Sequence, residues 1–114
     1  MGEEEITRKA KISGMLGIAS KGYKLISGKE AVSDELLKKK VKLVIIAKDA
    51  SEKTIENMQY LCEKQNVPCI LYGTIFDNSK YIGKVNKAII GIKDEGFANV
   101  LQKLILGGEE IGEN

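Results

Sequence analysis

Five consecutive apolar residues, Leu43-Val44-Ile45-Ile46-Ala47, sit between Lys42 and Lys48. A continuously apolar run rich in β-branched side chains reads as a strand covered on both faces. Such a strand needs helices on either side of its sheet, which sets the layer order before any other element is placed. The run is also the longest purely apolar stretch of the chain, far short of the roughly twenty residues that a membrane-spanning helix needs. The N-terminus is acidic where a signal peptide would be basic and then apolar. The protein is therefore expected to stay in the cytoplasm, with no membrane partner.

Around this strand, helical and strand patterns alternate. Ile12, Met15, Leu16 and Ala19 fall at helical spacing from Ile6 to Lys21, with Gly22 placed to close the helix in a left-handed turn. Gly14 and Gly17 inside that helix point to a close helix contact, ahead of the alternative that they give access to the backbone. Leu25-Ile26 is a short strand, and Ser27 stands three residues before Glu30, the spacing of a capping box, so a helix is expected from Ser27 to about Lys39. Asp49 and Glu52 bracket the next helix start, with Asp49 read as a cap. Ile55, Met58, Leu61 and Cys62 repeat along that helix, and Asn66 followed by Pro68 ends it. Cys69 to Tyr72 is a strand, Thr74 with Asp77 opens a short helix ending near Gly83, and Ala88 to Ile92 is the last strand. Phe97, Val100, Leu101, Leu104 and Ile105 define a final helix after Asp94. A chain of 114 residues with this alternation is expected to form one domain, 1–114: an α/β fold, a three-layer α/β/α sandwich with a four-stranded mixed sheet. The acidic ends, 1–5 and 107–114, read as frayed.

The chain has no His and two cysteines, Cys62 and Cys69, so it offers no zinc constellation and no Cys-His pair, and both thiols read as buried small hydrophobes. No Gly-x-Ser-x-Gly elbow or dinucleotide loop is present. Gly28-Lys29 fails as a phosphate-binding loop, since Tyr23 stands at the earlier glycine and Glu30 at the hydroxyl that would hold magnesium. An enzyme is not expected, nor a metal or cofactor.

Charge is unevenly spread. The formal net charge of +2 becomes about +8 over residues 6–106, because six glutamates lie at the ends, where Lys and Arg are missing. That body favours a polyanionic partner, with a merely soluble lysine-rich surface as the plain alternative. Seven lysines occur from Lys21 to Lys42, and the helix start at Ser27-Gly28 lies among them. A helix start in a positive field is a place to hold a phosphate backbone.

The segments Leu25-Ile26-Ser27-Gly28-Lys29-Glu30, Lys42 to Ala50, Cys62-Glu63-Lys64-Gln65-Asn66-Val67-Pro68, Ile82-Gly83-Lys84 and Asp94-Glu95-Gly96-Phe97-Ala98 together resemble the L-seven-Ae family of ribosomal proteins, in particular its bacterial YlxQ-like branch. The resemblance covers about residues 12 to 105. It implies an α/β/α sandwich that binds kink-turn RNA, ribosomal or otherwise structured, within a ribonucleoprotein, with no DNA specificity. In that family a Gly-x-Asn-Glu-x-x-Lys helix start meets sheared G·A pairs and a later loop packs on a flipped-out base. The residues so implicated are Lys24, Gly28, Lys29, Glu30 and Lys38 around the helix start, and Lys84, Asn86, Lys87 and Ala88 in the loop. In a gapless register Gly28 keeps the family glycine, while Glu30, Ala31 and Asp34 replace its Asn, Glu and Lys. A slide of one residue keeps Glu30 as the Glu but puts Ser27 and Ser33 at the glycine and the lysine. The alternative function is a protein-interaction or ribosome-associated module of the same fold that has lost kink-turn specificity.

Overall fold

A computed structural model of the chain describes residues 2–110. Nine elements alternate along them: α1 (Glu3–Lys21), β1 (Leu25–Ser27), α2 (Lys29–Leu37), β2 (Leu43–Ile46), α3 (Glu52–Gln65), β3 (Cys69–Leu71), α4 (Ile75–Tyr81), β4 (Ile89–Ile92) and α5 (Glu95–Glu110). The strands form one sheet in the order β1-β4-β2-β3. β3 runs parallel to β2, and β4 is antiparallel to both of its neighbours, so the sheet is mixed. β2 is an inner strand, and its four residues are each 0% exposed.

Strand alternation divides the core into two. Leu43, Ile45, Ile90 and Ile92 face Ile12 and Leu16 of α1 and Ala98 and Leu101 of α5. Val44, Ile46 and Ile89 face Val32 and Leu36 of α2 and Met58 and Cys62 of α3. Helices therefore cover both faces, as the apolar run of β2 requires. Gly91 fits this second layer by leaving room: a β-carbon there would meet both Val32 γ-carbons at 3.3 Å. Cys62 is buried and Cys69 half-buried, both as free thiols. The neighbouring Cys69 thiol, and then burial, push the Cys62 thiol up, so it stays protonated.

Several local details differ from the sequence reading. The left-handed residue after α1 is Tyr23, at φ 59, while Gly22 has an ordinary φ of −90. Gly17 makes the expected close contact, 3.4 Å from its β-carbon position to the Tyr81 carbonyl oxygen, but Gly14 faces open space. No capping box forms at Ser27, which belongs to β1 and pairs with Ile90; α2 starts from Gly28 without any side-chain cap. Asp49 does not cap α3. Ser51 takes that place and accepts from the Thr54 N–H, whereas the Asp49 carboxylate accepts from the Ile75 N–H at the start of α4. At the chain ends, α1 begins at Glu3 and α5 continues to Glu110. Glutamates are good helix formers and suit a helix start such as that of α1. Met1 and residues 111–114 lie outside the described residues.

Candidate nucleic-acid interface

The start of α2 is built by a backbone that only glycine adopts readily. Gly28 has φ 101 and ψ 147, a region where a β-carbon is strained. Its N–H donates to the Ile89 carbonyl at 2.9 Å, and its own carbonyl accepts from the Val32 N–H at 3.0 Å. The next N–H groups, on Lys29, Glu30 and Ala31, have no intrahelical acceptor and no side-chain cap. All three of these residues are exposed.

The segment from Gly83 to Ala88 reaches the same place from the other side of the chain. It is a tight loop with left-handed turns at Gly83 (φ 70) and Asn86 (φ 57). Ser79, 2% exposed, braces it from within. Its hydroxyl accepts from the Lys87 N–H at 2.7 Å and donates to the Lys87 carbonyl at 3.2 Å, while its carbonyl accepts from the Lys84 N–H at 2.8 Å. The Ala88 carbonyl then joins the sheet by accepting from the Ala47 N–H at 2.9 Å. So held, the loop puts the Lys87 ammonium 3.5 Å from the position of a β-carbon on Gly28. Two segments about sixty residues apart in sequence thus form one surface: open backbone N–H groups beside a positive charge. Val85 stands out from it at 85% exposure.

Seven of the nine implicated residues share this surface or its rim: Gly28, Lys29, Glu30, Lys84, Asn86, Lys87 and Ala88. Lys24 and Lys38 do not. Lys24 precedes β1 and reaches Asp94 beyond the far end of β4, at 3.9 Å. Lys38 caps the opposite end of α2, nine residues on, roughly 13 Å along the helix axis. It pairs there with Glu35 at 3.8 Å, and Lys93 meets the same carboxylate at 3.1 Å. Among the described residues every ion pair lies at that far end, and Lys29, Lys84 and Lys87 have none. A positive field is thereby left at the Gly28 end. Sequence reasoning missed Val85 and Ser79. Val85, an apolar residue between two lysines inside the Gly83–Asn86 turn, carried a usable signal, whereas Ser79 looks like any surface hydroxyl.

Lys93, by hydrogen bond and charge, holds the Glu35 carboxyl below its ordinary range against the opposing effect of desolvation, with Lys38 and Lys40 adding to it. A carboxyl lowered on folding stabilises the fold above its unfolded pKa, about 4.3, and loses that contribution as pH falls through the lowered value. Glu35→Gln should therefore flatten the acid limb of the stability profile, measured by urea denaturation from neutral pH downward. An unchanged limb would mean that the Lys93 contact is not formed in solution.

A model of the ribosomal protein L7Ae/L30e/S12e/Gadd45 family matches residues 10–102. A relative called RNA-binding protein YlxQ, from Enterococcus faecium, is 34% identical over 97 residues, covering 85% of this chain and 93% of the relative. A second of the same name, from Bacillus subtilis (strain 168), is 31% identical over 91 residues, covering 80% and 91%. Among solved structures, a protein of unknown function from Bacillus halodurans C superposes with a TM-score of 0.82 at 32% identity, covering 84% of this chain and 97% of that one. The 15.5kD RNA binding protein of Giardia lamblia superposes with a TM-score of 0.74 at 17% identity, over 96% and 98%, a likeness of fold. No helix among the described residues is long and apolar enough to cross a membrane. By the match over residues 10–102 and by its relatives, the chain belongs to the ribosomal protein L7Ae/L30e/S12e/Gadd45 family.

Proposed function

We propose that this chain is a small RNA-binding protein, one domain over its length, that recognises a kink-turn or similarly bent structured RNA, ribosomal RNA being the leading candidate. The observation that carries this reading is the convergence of Lys87 on Gly28. A sharply bent RNA crowds its phosphates together, and uncapped helix N–H groups with an ammonium beside them are a fitting counterpart. Gly28 lets the RNA backbone approach the protein backbone there. Glu30 carries no cap and is exposed, so its carboxylate is available to accept from the N–H groups of a base edge. Val85 offers an apolar surface to a base that has left the stack. The relatives' name, RNA-binding protein YlxQ, supports the same reading.

The test is binding to a kink-turn duplex and to an unkinked duplex of equal length, each at low and at physiological salt. The kinked RNA should bind more tightly, affinity should fall steeply with salt, and Lys29→Ala or Lys87→Ala should each lessen the slope by about one contact. Equal affinity for both RNAs with a flat salt dependence would favour the protein-interaction module instead.

A further inference from the structure

A second feature lies at the same end of the sheet, beyond the interface. A cleft of about 800 Å³ opens between α1, α5 and the β3 edge, a size usual for sites that hold small molecules. Its floor is apolar, from Ile12, Ile70 and Ile105. Tyr72 and Tyr81 line it with aromatic surface, and both also pack on the core beneath. Arg8, Lys9 and Lys48 stand around it. Asp49 and Asp77 also line it, but the Asp49 carboxylate already accepts from the Ile75 N–H.

The β3 edge adds a hydrogen-bonding pair. The Pro68 carbonyl and the Tyr72 N–H both bond to β2, at 2.9 Å each. By the alternation of a strand, the N–H and C=O of Leu71 therefore point away from the sheet, with no strand among the described residues to receive them. One donor and one acceptor side by side, next to aromatic surface and cations, match the three parts of a nucleotide: base edge, base face and phosphate. Burial, with Tyr81 and Asp77 beside it, raises the Tyr72 hydroxyl pKa against the effect of Arg8, which keeps that hydroxyl a donor.

The cleft is also connected to the interface. Three backbone bonds run in a row across the sheet end: Gly28 N–H to Ile89, Ala47 N–H to Ala88, and Lys48 N–H to Gly73. Four neighbouring strands span three spacings, roughly 14 Å, a distance that a few nucleotides cover. Lys48 stands partway along that path.

We infer that the cleft takes one unstacked nucleotide of the RNA whose bend sits at the α2 start, its base against Tyr72, Tyr81 and the Leu71 backbone and its phosphate towards Arg8 and Lys48. This rests on the RNA-binding reading above, and its test separates the two. The full chain is titrated with AMP, GMP, CMP and UMP while backbone amide shifts are followed by NMR. At least one nucleotide should shift the Leu71 and Gly73 amides saturably, and Arg8→Ala should weaken that response about tenfold. A kinked RNA with a short single-stranded extension should bind more tightly than the same RNA without it. Arg8→Ala should remove that advantage while leaving the unextended RNA within twofold, whereas Lys87→Ala should weaken both RNAs. Absence of saturable shifts at the cleft with all four nucleotides would overturn the inference even if kinked RNA still binds. Shifts with an extension advantage untouched by Arg8→Ala would also overturn it, leaving a site for free nucleotides. Loss of preference for kinked RNA with the shifts intact would strike the earlier reading instead.

Discussion

Changing Ala31 to Glu and Asp34 to Lys together is expected to raise the preference for kinked over straight RNA by roughly one to two factors of ten, as for gaining good base contacts worth about 1–3 kcal/mol each. Both positions are exposed on α2, so neither change disturbs packing. A glutamate in the first turn and a lysine further along also suit the helix dipole. The lysine should act on affinity for any RNA, and the glutamate on discrimination. Binding of both RNAs to the variant, beside circular dichroism and a melting curve, checks this. Unchanged or poorer discrimination with the fold intact would mean that the α2 start is not the reading head, and the protein-interaction alternative would then be preferred.

The choice of these two positions depends on a register that the sequence leaves open. Two alignments with the family helix start are possible, one keeping Gly28 and the other moving the glycine position to Ser27. The backbone separates them: residue 28 has φ 101, while Ser27 is an ordinary strand residue opposite Ile90. Only the gapless register puts glycine where the chain needs it.

What could be read in advance was what depends on periodicity. The β2 run requires two helical layers, apolar spacing locates α1, α3 and α5, and cap-like residues mark α2 and α4. Asn66, at φ 58, and Thr74, accepting from the Asp77 N–H, closed and opened helices as their residue types suggest. Positions set by tertiary partners were not legible. Asp49 looks like a cap for the helix that follows it, yet its carboxylate crosses to the start of α4. Lys24 and Lys38 lie close to Gly28 in sequence, but a strand and a helix carry them to the other end of the molecule, where Asp94 and Glu35 hold them. Sequence distance misled there because both elements run directly away from Gly28.

Gly73→Ala is expected to destabilise the protein by about 2–5 kcal/mol, the sum of a left-handed backbone cost and a disrupted buried hydrogen bond. Gly73 has φ +67, and a β-carbon there would overlap the side-chain oxygen of Asn78. Asn78 cannot easily move aside, being 1% exposed and donating from Nδ2 to the Tyr72 carbonyl at 2.8 Å. Urea denaturation of the variant measures the loss, and a cost below about 1 kcal/mol would show that this corner relaxes freely. Because Gly73 also accepts from the Lys48 N–H, the same variant should broaden the amide signal of Lys48.

The strand order has a consequence for how the protein is made. Among the described residues β4 is the last strand in sequence, but it lies second in the sheet, between β1 and β2. A growing chain can bring β2 and β3 together early, but β1 has nothing to pair with until Ile89–Ile92 have left the ribosome. The N–H of Gly28 waits for Ile89, and Lys87 waits for the same insertion. Pairings across so much sequence are slow to form. The surface proposed to meet RNA is therefore assembled only once β4 has emerged, and nascent chains that stop short of β4 are expected to hold its two halves apart and not to compete with the finished protein for RNA.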